Sequence, residues 1–269
     1  MNKLEILDRY SNDEDRLFVA KILDKIYMSK TKNKIVNTDF LDMHQKKISQ
    51  NVLNIEKERN YEYYYIDKEA EKPMLIIYPS KYSEIFENRR FDYSQFIKLI
   101  RVTLPNELKS KYSHKDYLSG IMKLGIKREK IGDIFVFENG ADFIISKDVC
   151  EYVINNMHQL TRFSKAKIEE INLSQIRKPK IEKEDIRITV QSLRLDNVVT
   201  ELARCSRSVA SEIIESQRVY INYENETRNS KLLNLGDVLV IRGKGKFVII
   251  DVQGKNKKGK IVVIVQHYK

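Results

Sequence analysis

Residues 194–222, RLDNVVTELARCSRSVASEIIESQRVYIN, decide how this chain is read. Leu195, Val198, Val199 and Leu202 recur at helical spacing and form one short amphipathic helix. Ser206 is placed to cap a second helix, with Val209, Ala210, Ile213 and Ile214 on its apolar face. A strand over 219–223 follows. Arg194 opens the first helix and Arg207 the second. Backbone N–H groups at a helix start lack helix partners and suit anions. Ser206 adds a hydroxyl there, and Arg207 a planar fork for bidentate phosphate contact. Arg218 and Asn222 lie around the turn into the strand. Asp196 reads as a structural partner that caps or orients Arg194. Further out, a lead-in strand occupies 188–192, and strands at 238–242, 247–252 and 260–266 complete a small sheet. The stretch 253–259, QGKNKKG, is a basic hairpin loop. Two helices feeding a small sheet make an αα-plus-β module of RNA-binding size.

The composition agrees with a polyanion partner. The chain has 269 residues, 49 Lys+Arg against 38 Asp+Glu, and a formal net charge of +11. Residues 1–72 carry 14 bases and 14 acids, so the excess lies entirely beyond them. Between 242 and 260 there are seven bases and one acid, Asp251. Such local excess fits phosphate contact. All nine glycines fall in 120–140 or 236–259, which excludes collagen, Gly/Ser linkers and low-complexity disorder. Cys150 and Cys205 have neither disulfide nor zinc spacing. The first ten residues lack an apolar signal core, and the longest apolar runs are far short of the ~18 residues a span needs. A soluble, cytoplasmic protein without a membrane partner is the expectation.

Prolines and charge runs divide the remainder. Residues 1–72 read as a mainly helical accessory domain. One helix is capped by Ser11 with Glu14 and carries Leu17, Phe18, Ile22, Ile26 and Tyr27. A second starts near Thr38, with Leu41, His44, Ile48, Val52 and Ile55 on one stripe. Tyr61, Tyr63 and Tyr65 alternate as a strand would. His44 reads as an interface histidine. In residues 73–178, a short apolar run at 74–78 precedes strand 96–103. A helix capped by Ser113 and Asp116 follows, then strands 131–137 and 141–145 joined at Asn139-Gly140 by a type I′ turn. A helix at 147–157 and a final strand within 163–173 complete the βαββαβ order of a ferredoxin-like domain. It lacks the glycine–aromatic signature of base-stacking RNA-recognition domains. The polar run around Pro179 reads as a linker, and 182–269 is the third domain. The fold class is therefore α+β and multidomain.

The third domain resembles the S-four-type, or αL-motif, RNA-binding domain. Arg194-Leu195-Asp196, residues 205–210, Ile213-Ile214, residues 218–222, Lys231 and residues 235–238 carry that resemblance in order. That family has Gly where this chain has Gln217. Gln217 must therefore take another turn or accept roughly 1 kcal/mol of left-handed strain. The whole chain resembles the bacterial YlmH-type proteins, through residues 114–134 (HKDYLSGIMKLGIKREKIGDI) and 236–247 (GDVLVIRGKGKF). The resemblance implies an accessory domain, a ferredoxin-like domain and an RNA-binding domain. It also implies a role on large ribosomal subunits that retain peptidyl-tRNA, in rescue of stalled translation. Independently, Arg242-Gly243-Lys244-Gly245-Lys246 alternates cations with residues that let an RNA backbone approach. Lys127, Arg128 and Lys130, with His114, form a second candidate contact.

Enzyme readings find little support. Met28-Ser29-Lys30 matches the core of a tRNA-synthetase loop but has no companion motif or nucleotide-binding unit. No Gly-rich loop joins strand to helix as a methyltransferase needs. His44, His114, His158 and His267 are not grouped at metal spacing. The expectation is a non-enzymatic, monomeric protein with no cofactor or metal, no catalytic residue, and rRNA, tRNA, the large subunit and other quality-control factors as partners. The proposed contacts are Arg194, Ser206, Arg207, Ser208, Arg218, Asn222, Lys231, Arg242, Lys244 and Lys246. The rivals are an RNA-modifying enzyme with an unrecognised site in 1–178 and a scaffold linked to cell division.

Overall fold

Two helices, α1 (Lys3–Leu7) and α2 (Asp13–Lys32), open the computed structural model, which describes residues 2–67, 70–178, 183–222 and 224–268. Asn12, not Ser11, caps α2: its side chain accepts the Glu14 backbone N–H at 2.8 Å. Three acids, Asp13 to Asp15, then occupy the first turn, where the helix dipole favours them. The helix expected from Thr38 is instead strand β1 (Val36–Phe40), and α3 (Met43–Ile55) starts later. The Asp42–Gln45 capping box fixes that start, with Gln45 N–H on the Asp42 carboxylate at 2.7 Å. Thr38 is buried in β1, and its hydroxyl accepts the Leu75 N–H at 3.0 Å. His44 joins α3 to α2 through Asp15 at 3.0 Å.

Strands β2 (Tyr61–Tyr64) and β3 (Met74–Ile77) complete an antiparallel sheet of order β1-β3-β2. The sequence places the apolar run 74–78 at the opening of the second segment, whereas β3 is the central strand of the first sheet. Alternate residues on a strand face opposite ways. Leu75 and Ile77 join the core of Val19, Ile22, Val52 and Leu53. Met74 and Ile76 join Ile97, Leu99 and Ile144 instead. The first two sequence segments thus share a core through one strand. The chain divides into two compact units, residues 1–179 and 180–269. Linker residues 179–182 lie outside the described residues.

After α4 (Ser83–Glu87) come β4 (Ile97–Thr103), α5 (His114–Lys123), β5 (Ile131–Phe137), β6 (Gly140–Ser146), α6 (Lys147–Asn156) and β7 (Lys167–Ile171). The sheet order is β5-β6-β4-β7 with every neighbour antiparallel, which is the ferredoxin-like arrangement. α5 has the expected capping box, with Ser113 N–H on Asp116 at 2.8 Å. The β5–β6 turn is not type I′, because neither of its central residues, Glu138 and Asn139, has positive φ. Gly140 begins the returning strand instead, at φ 144°, and a Cβ there would lie 1.9 Å from the Val102 carbonyl oxygen. Asp142, fully buried on β6, accepts from Arg101 on β4 and from Arg177, which ties the end of this unit to the sheet.

The second unit holds β8 (Lys183–Val190), α7 (Leu195–Ala203), α8 (Arg207–Glu215), β9 (Val219–Ile221), β10 (Glu224–Asn225), β11 (Val238–Ile241), β12 (Gly245–Lys255) and β13 (Ile261–Tyr268). They form one sheet of order β10-β9-β11-β12-β13-β8. β8 begins earlier than the expected lead-in strand because it pairs with all of β13. β12 runs into the expected loop as far as Lys255, leaving a short turn at 256–260. Tyr223, the expected end of β9, lies outside the described residues. Val198, Val199, Ala210 and Ile214 from the helices bury against Leu239, Phe247, Ile249 and Val263 of the sheet.

Candidate nucleic-acid interface

Arg194 is the N-cap residue of α7, in extended conformation. The chain from 231 to 233 holds it there: Leu195 N–H donates to the Lys231 carbonyl at 2.8 Å, and Leu233 N–H to the Leu193 carbonyl at 2.9 Å. Lys231 therefore contributes its backbone to the frame. Asp196, on the first turn of α7, is 2% exposed. Its carboxylate accepts the Arg194 guanidinium at 3.1 and 3.0 Å and the Arg207 guanidinium at 2.8 Å. Those bonds, Arg194 first, outweigh the cost of burial and hold the Asp196 carboxyl down to about 2. One buried carboxylate thus orients two arginine forks, and the cluster keeps one net positive charge.

Arg204, in left-handed conformation at φ 52°, turns the chain from α7 into α8. Ser206 caps α8 as expected, accepting Val209 N–H at 3.3 Å, and its hydroxyl also pairs with that of Ser208 at 2.9 Å. Ser206, Arg207 and Ser208 are all exposed. The helix start therefore presents hydroxyls, N–H groups and a cation on one short segment, a combination suited to phosphate. Gln217 takes the left-handed turn at φ 59°. The chain accepts the strain rather than choosing another turn.

A second group gathers where β9 meets the β11–β12 turn. Arg218 donates to the Arg242 carbonyl at 3.2 Å, and its own carbonyl accepts Arg242 N–H at 2.9 Å. The Arg242 guanidinium lies over the Tyr220 ring at 5.2 Å and donates to its hydroxyl. Lys244 is exposed in the turn, and Lys246 sits over the Tyr268 ring at 4.9 Å. Asn222 differs from its expected part. Its amide donates to Asp237 at 2.8 Å and accepts Val238 N–H at 2.9 Å, so both ends of the amide are used within the protein.

In the first unit the structure sets Lys130 apart from the other three residues grouped with it by sequence. Lys130 bridges Asp39 and Asp148, each at 2.7 Å. Burial lowers its pKa, but those two bonds outweigh that effect and raise it overall. Lys130 is therefore an internal tie, since a contact to RNA would compete with both carboxylates. Lys127 is exposed, and Arg128 donates to the Ile131 carbonyl. Burial first, then Arg128 and Lys72, press the His114 imidazole below its usual value.

Sequence reasoning missed the aromatic partners Tyr220 and Tyr268. Tyr268 is the direct cross-strand partner of Lys246, a relation that needs the register of β12 on β13. Among the described residues, no group of three or more His, Cys, Asp or Glu could hold a metal. No helix there is long and apolar enough to cross a membrane.

Comparison with known proteins agrees with the motifs. A family model described as "Putative RNA-binding domain in YlmH" matches residues 90–175, and an S4 domain spans 193–239. The chain is 28% identical over 275 residues to "Ribosome-associated protein quality control protein P2" of Bacillus subtilis (strain 168), covering 98% of this chain and 99% of that one. A solved structure, "Cell division protein ylmH from Streptococcus pneumoniae", is 20% identical with a TM-score of 0.46, over 62% of this chain and 98% of that one. That likeness is too slight to bear on the argument.

Proposed function

We propose that this protein binds RNA on the ribosome and acts by position rather than turnover. In this reading the 183–268 unit docks on rRNA and tRNA of a stalled large subunit that carries peptidyl-tRNA. The remaining residues orient it or meet other quality-control factors, with 1–72 as an accessory part and 73–178 as a second RNA-facing part. The observation that carries the reading is the pair of guanidinium forks, Arg194 and Arg207, held by the buried Asp196 at the starts of two helices. The name of the Bacillus subtilis relative supports the ribosomal setting. Arg218, Arg242, Lys244 and Lys246 supply further phosphate contacts, with Ser206 and Ser208 as hydroxyl donors. The protein works as a monomer in the cytoplasm, without cofactor.

The test is the salt dependence of binding. Each phosphate neutralised contributes close to one to the slope of log K against log salt. Arg207→Ala should weaken binding across RNA sequences and lower that slope by about one. An unchanged slope removes Arg207 from the interface. A ribosome pull-down with RNA crosslinking identifies the particle and the nucleotides together. Chemical conversion of rRNA or tRNA by the purified protein would replace the positioning mechanism with an enzymatic one.

A further inference from the structure

We infer that the sheet face of the second unit turned away from α7 and α8 binds single-stranded RNA, with Tyr220 stacking on a base and neighbouring cations taking the phosphates. The inference rests on the reading of the chain as an RNA binder and adds a surface to the helix starts. Its basis is a register row that crosses the sheet. Tyr220 on β9 pairs with Val240 on β11, and Val240 with Lys246 on β12. Lys246 pairs with Tyr268 on β13, and Tyr268 with Lys183 on β8. The residues flanking this row on β9, β11 and β12 enter the core under the helices: Val219 and Ile221, Leu239 and Ile241, and Phe247. Side chains alternate along a strand, so the row itself projects from the opposite face.

Rings and cations interleave on that face. The Tyr220 ring is partly exposed. The Arg242 guanidinium lies 5.2 Å from its centroid and donates to its hydroxyl, which extends the ring by a second flat group. The Tyr268 ring carries the Lys183 ammonium at 4.7 Å and the Lys246 ammonium at 4.9 Å. A ring attracts a cation without cancelling its charge. Asp185, one row along, accepts the Gln266 amide at 3.2 Å. Val238 and Val248 of that row are partly exposed and add apolar floor.

The chemistry of this face selects its occupant. Lys183, Arg242, Lys244 and Lys246 on or beside the row complement a polyanion. Tyr220 and Tyr268 stand three strand spacings apart, roughly 14 Å, so base and phosphate contacts fall at separate points along an extended chain. An unpaired strand places phosphates on cations and splayed bases on rings, and every base has a face to stack. A duplex keeps its bases stacked on one another and offers none to Tyr220.

The experiment measures binding of the full chain to a short oligoadenylate across salt. An abasic ribose-phosphate strand of the same length and a blunt RNA duplex are the comparison probes. Tyr220→Ala should bind oligoadenylate about tenfold more weakly at an unchanged salt slope, and should match wild type on the abasic strand. Tyr220→Phe, which keeps the ring, should retain most of the affinity. Arg242→Ala and Lys246→Ala should each lower the slope by about one on both strands. Tyr220→Leu repeats the comparison if the alanine variant melts low. An equal loss on the abasic strand or the duplex in Tyr220→Ala would reduce Tyr220 to a holder of Arg242 and overturn the stacking site. Oligoadenylate binding unmoved by Tyr220→Ala and Lys246→Ala overturns the whole face. Loss of ribosome binding in Tyr220→Ala with unchanged oligoadenylate binding would make the face protein-directed and overturn it as well. Arg207→Ala is measured alongside: if it lowers the slope while the Tyr220 and Lys246 variants change nothing, this face fails and the first reading stands.

Discussion

Asp196 shows how much one buried carboxylate sets at this surface. Removing it adds a positive charge, which by long-range electrostatics alone should strengthen RNA binding. The forks of Arg194 and Arg207 would then have to be ordered by the ligand. Asp196→Asn should therefore bind RNA more weakly, by about fivefold, for roughly 1 kcal/mol of lost preorganisation. Tighter binding by this variant would show that the forks need no anchor. The same carboxyl has a pH consequence. Its folded value of about 2 lies below the unfolded value near ~3.9. The stability it adds is present above the unfolded value and is lost as pH falls towards 2. Denaturation between about pH 5 and pH 2 should show a loss of about 1–2 kcal/mol, discounted for solvent around Arg207, that Asp196→Asn lacks. Gln217 is the other residue with a defined cost. At φ 59° it holds a conformation that glycine adopts freely. Gln217→Gly keeps the carbonyl that accepts from Asn225 and should raise stability by about 0.5–1 kcal/mol, read as a higher Tm.

Among the elements, the strands show what a single sequence leaves undecided. Gly140 opens β6 opposite Thr103 of β4, where a side chain would meet the Val102 carbonyl. Gly140→Ala should cost at least about 3 kcal/mol in chemical denaturation, because φ and space are both unfavourable. The Asn-Gly pair marked this hairpin correctly in the sequence, but its turn type depends on pairing. Phe137 pairs with Gly140, so the glycine falls just after the turn. The helices α5, α7 and α8 and their caps were legible because capping and apolar spacing are local. Thr38 was not: Val36, Thr38 and Phe40 alternate over only five residues, and the partner that makes them a strand, β3, lies far along the chain. The candidate site divides the same way. Arg194, Ser206 and Arg207 were legible from helix starts. The state of Lys130 depends on Asp39 and Asp148, from two distant elements. Lys130→Ala should accordingly lower stability by about 1 kcal/mol and leave the RNA salt slope of the full chain unchanged.

For the whole molecule, charge and packing divide at different places. The basic excess begins after residue 72, whereas the unit boundary falls at 179/180. β3 explains the difference. It takes both sheet neighbours from residues 1–72, and its Met74 and Ile76 pack with residues of the ferredoxin-like sheet. Cutting the chain at 72 would leave β3 without strand partners, so the neutral part is structurally required by the basic part that follows. The second unit draws its core only from its own residues. Heating should therefore give two transitions, one for each unit. Ile76 is 1% exposed at the centre of β3. Ile76→Ala removes methyl groups from a packed site and should cost about 2–5 kcal/mol. That loss should lower the transition of residues 1–179 and leave the other in place. Val199, fully buried in the second unit, gives the reciprocal case, with Val199→Ala lowering the other transition only. If either substitution shifts both transitions together, the two units unfold as one cooperative body, and the RNA-binding surface depends on the core built around β3.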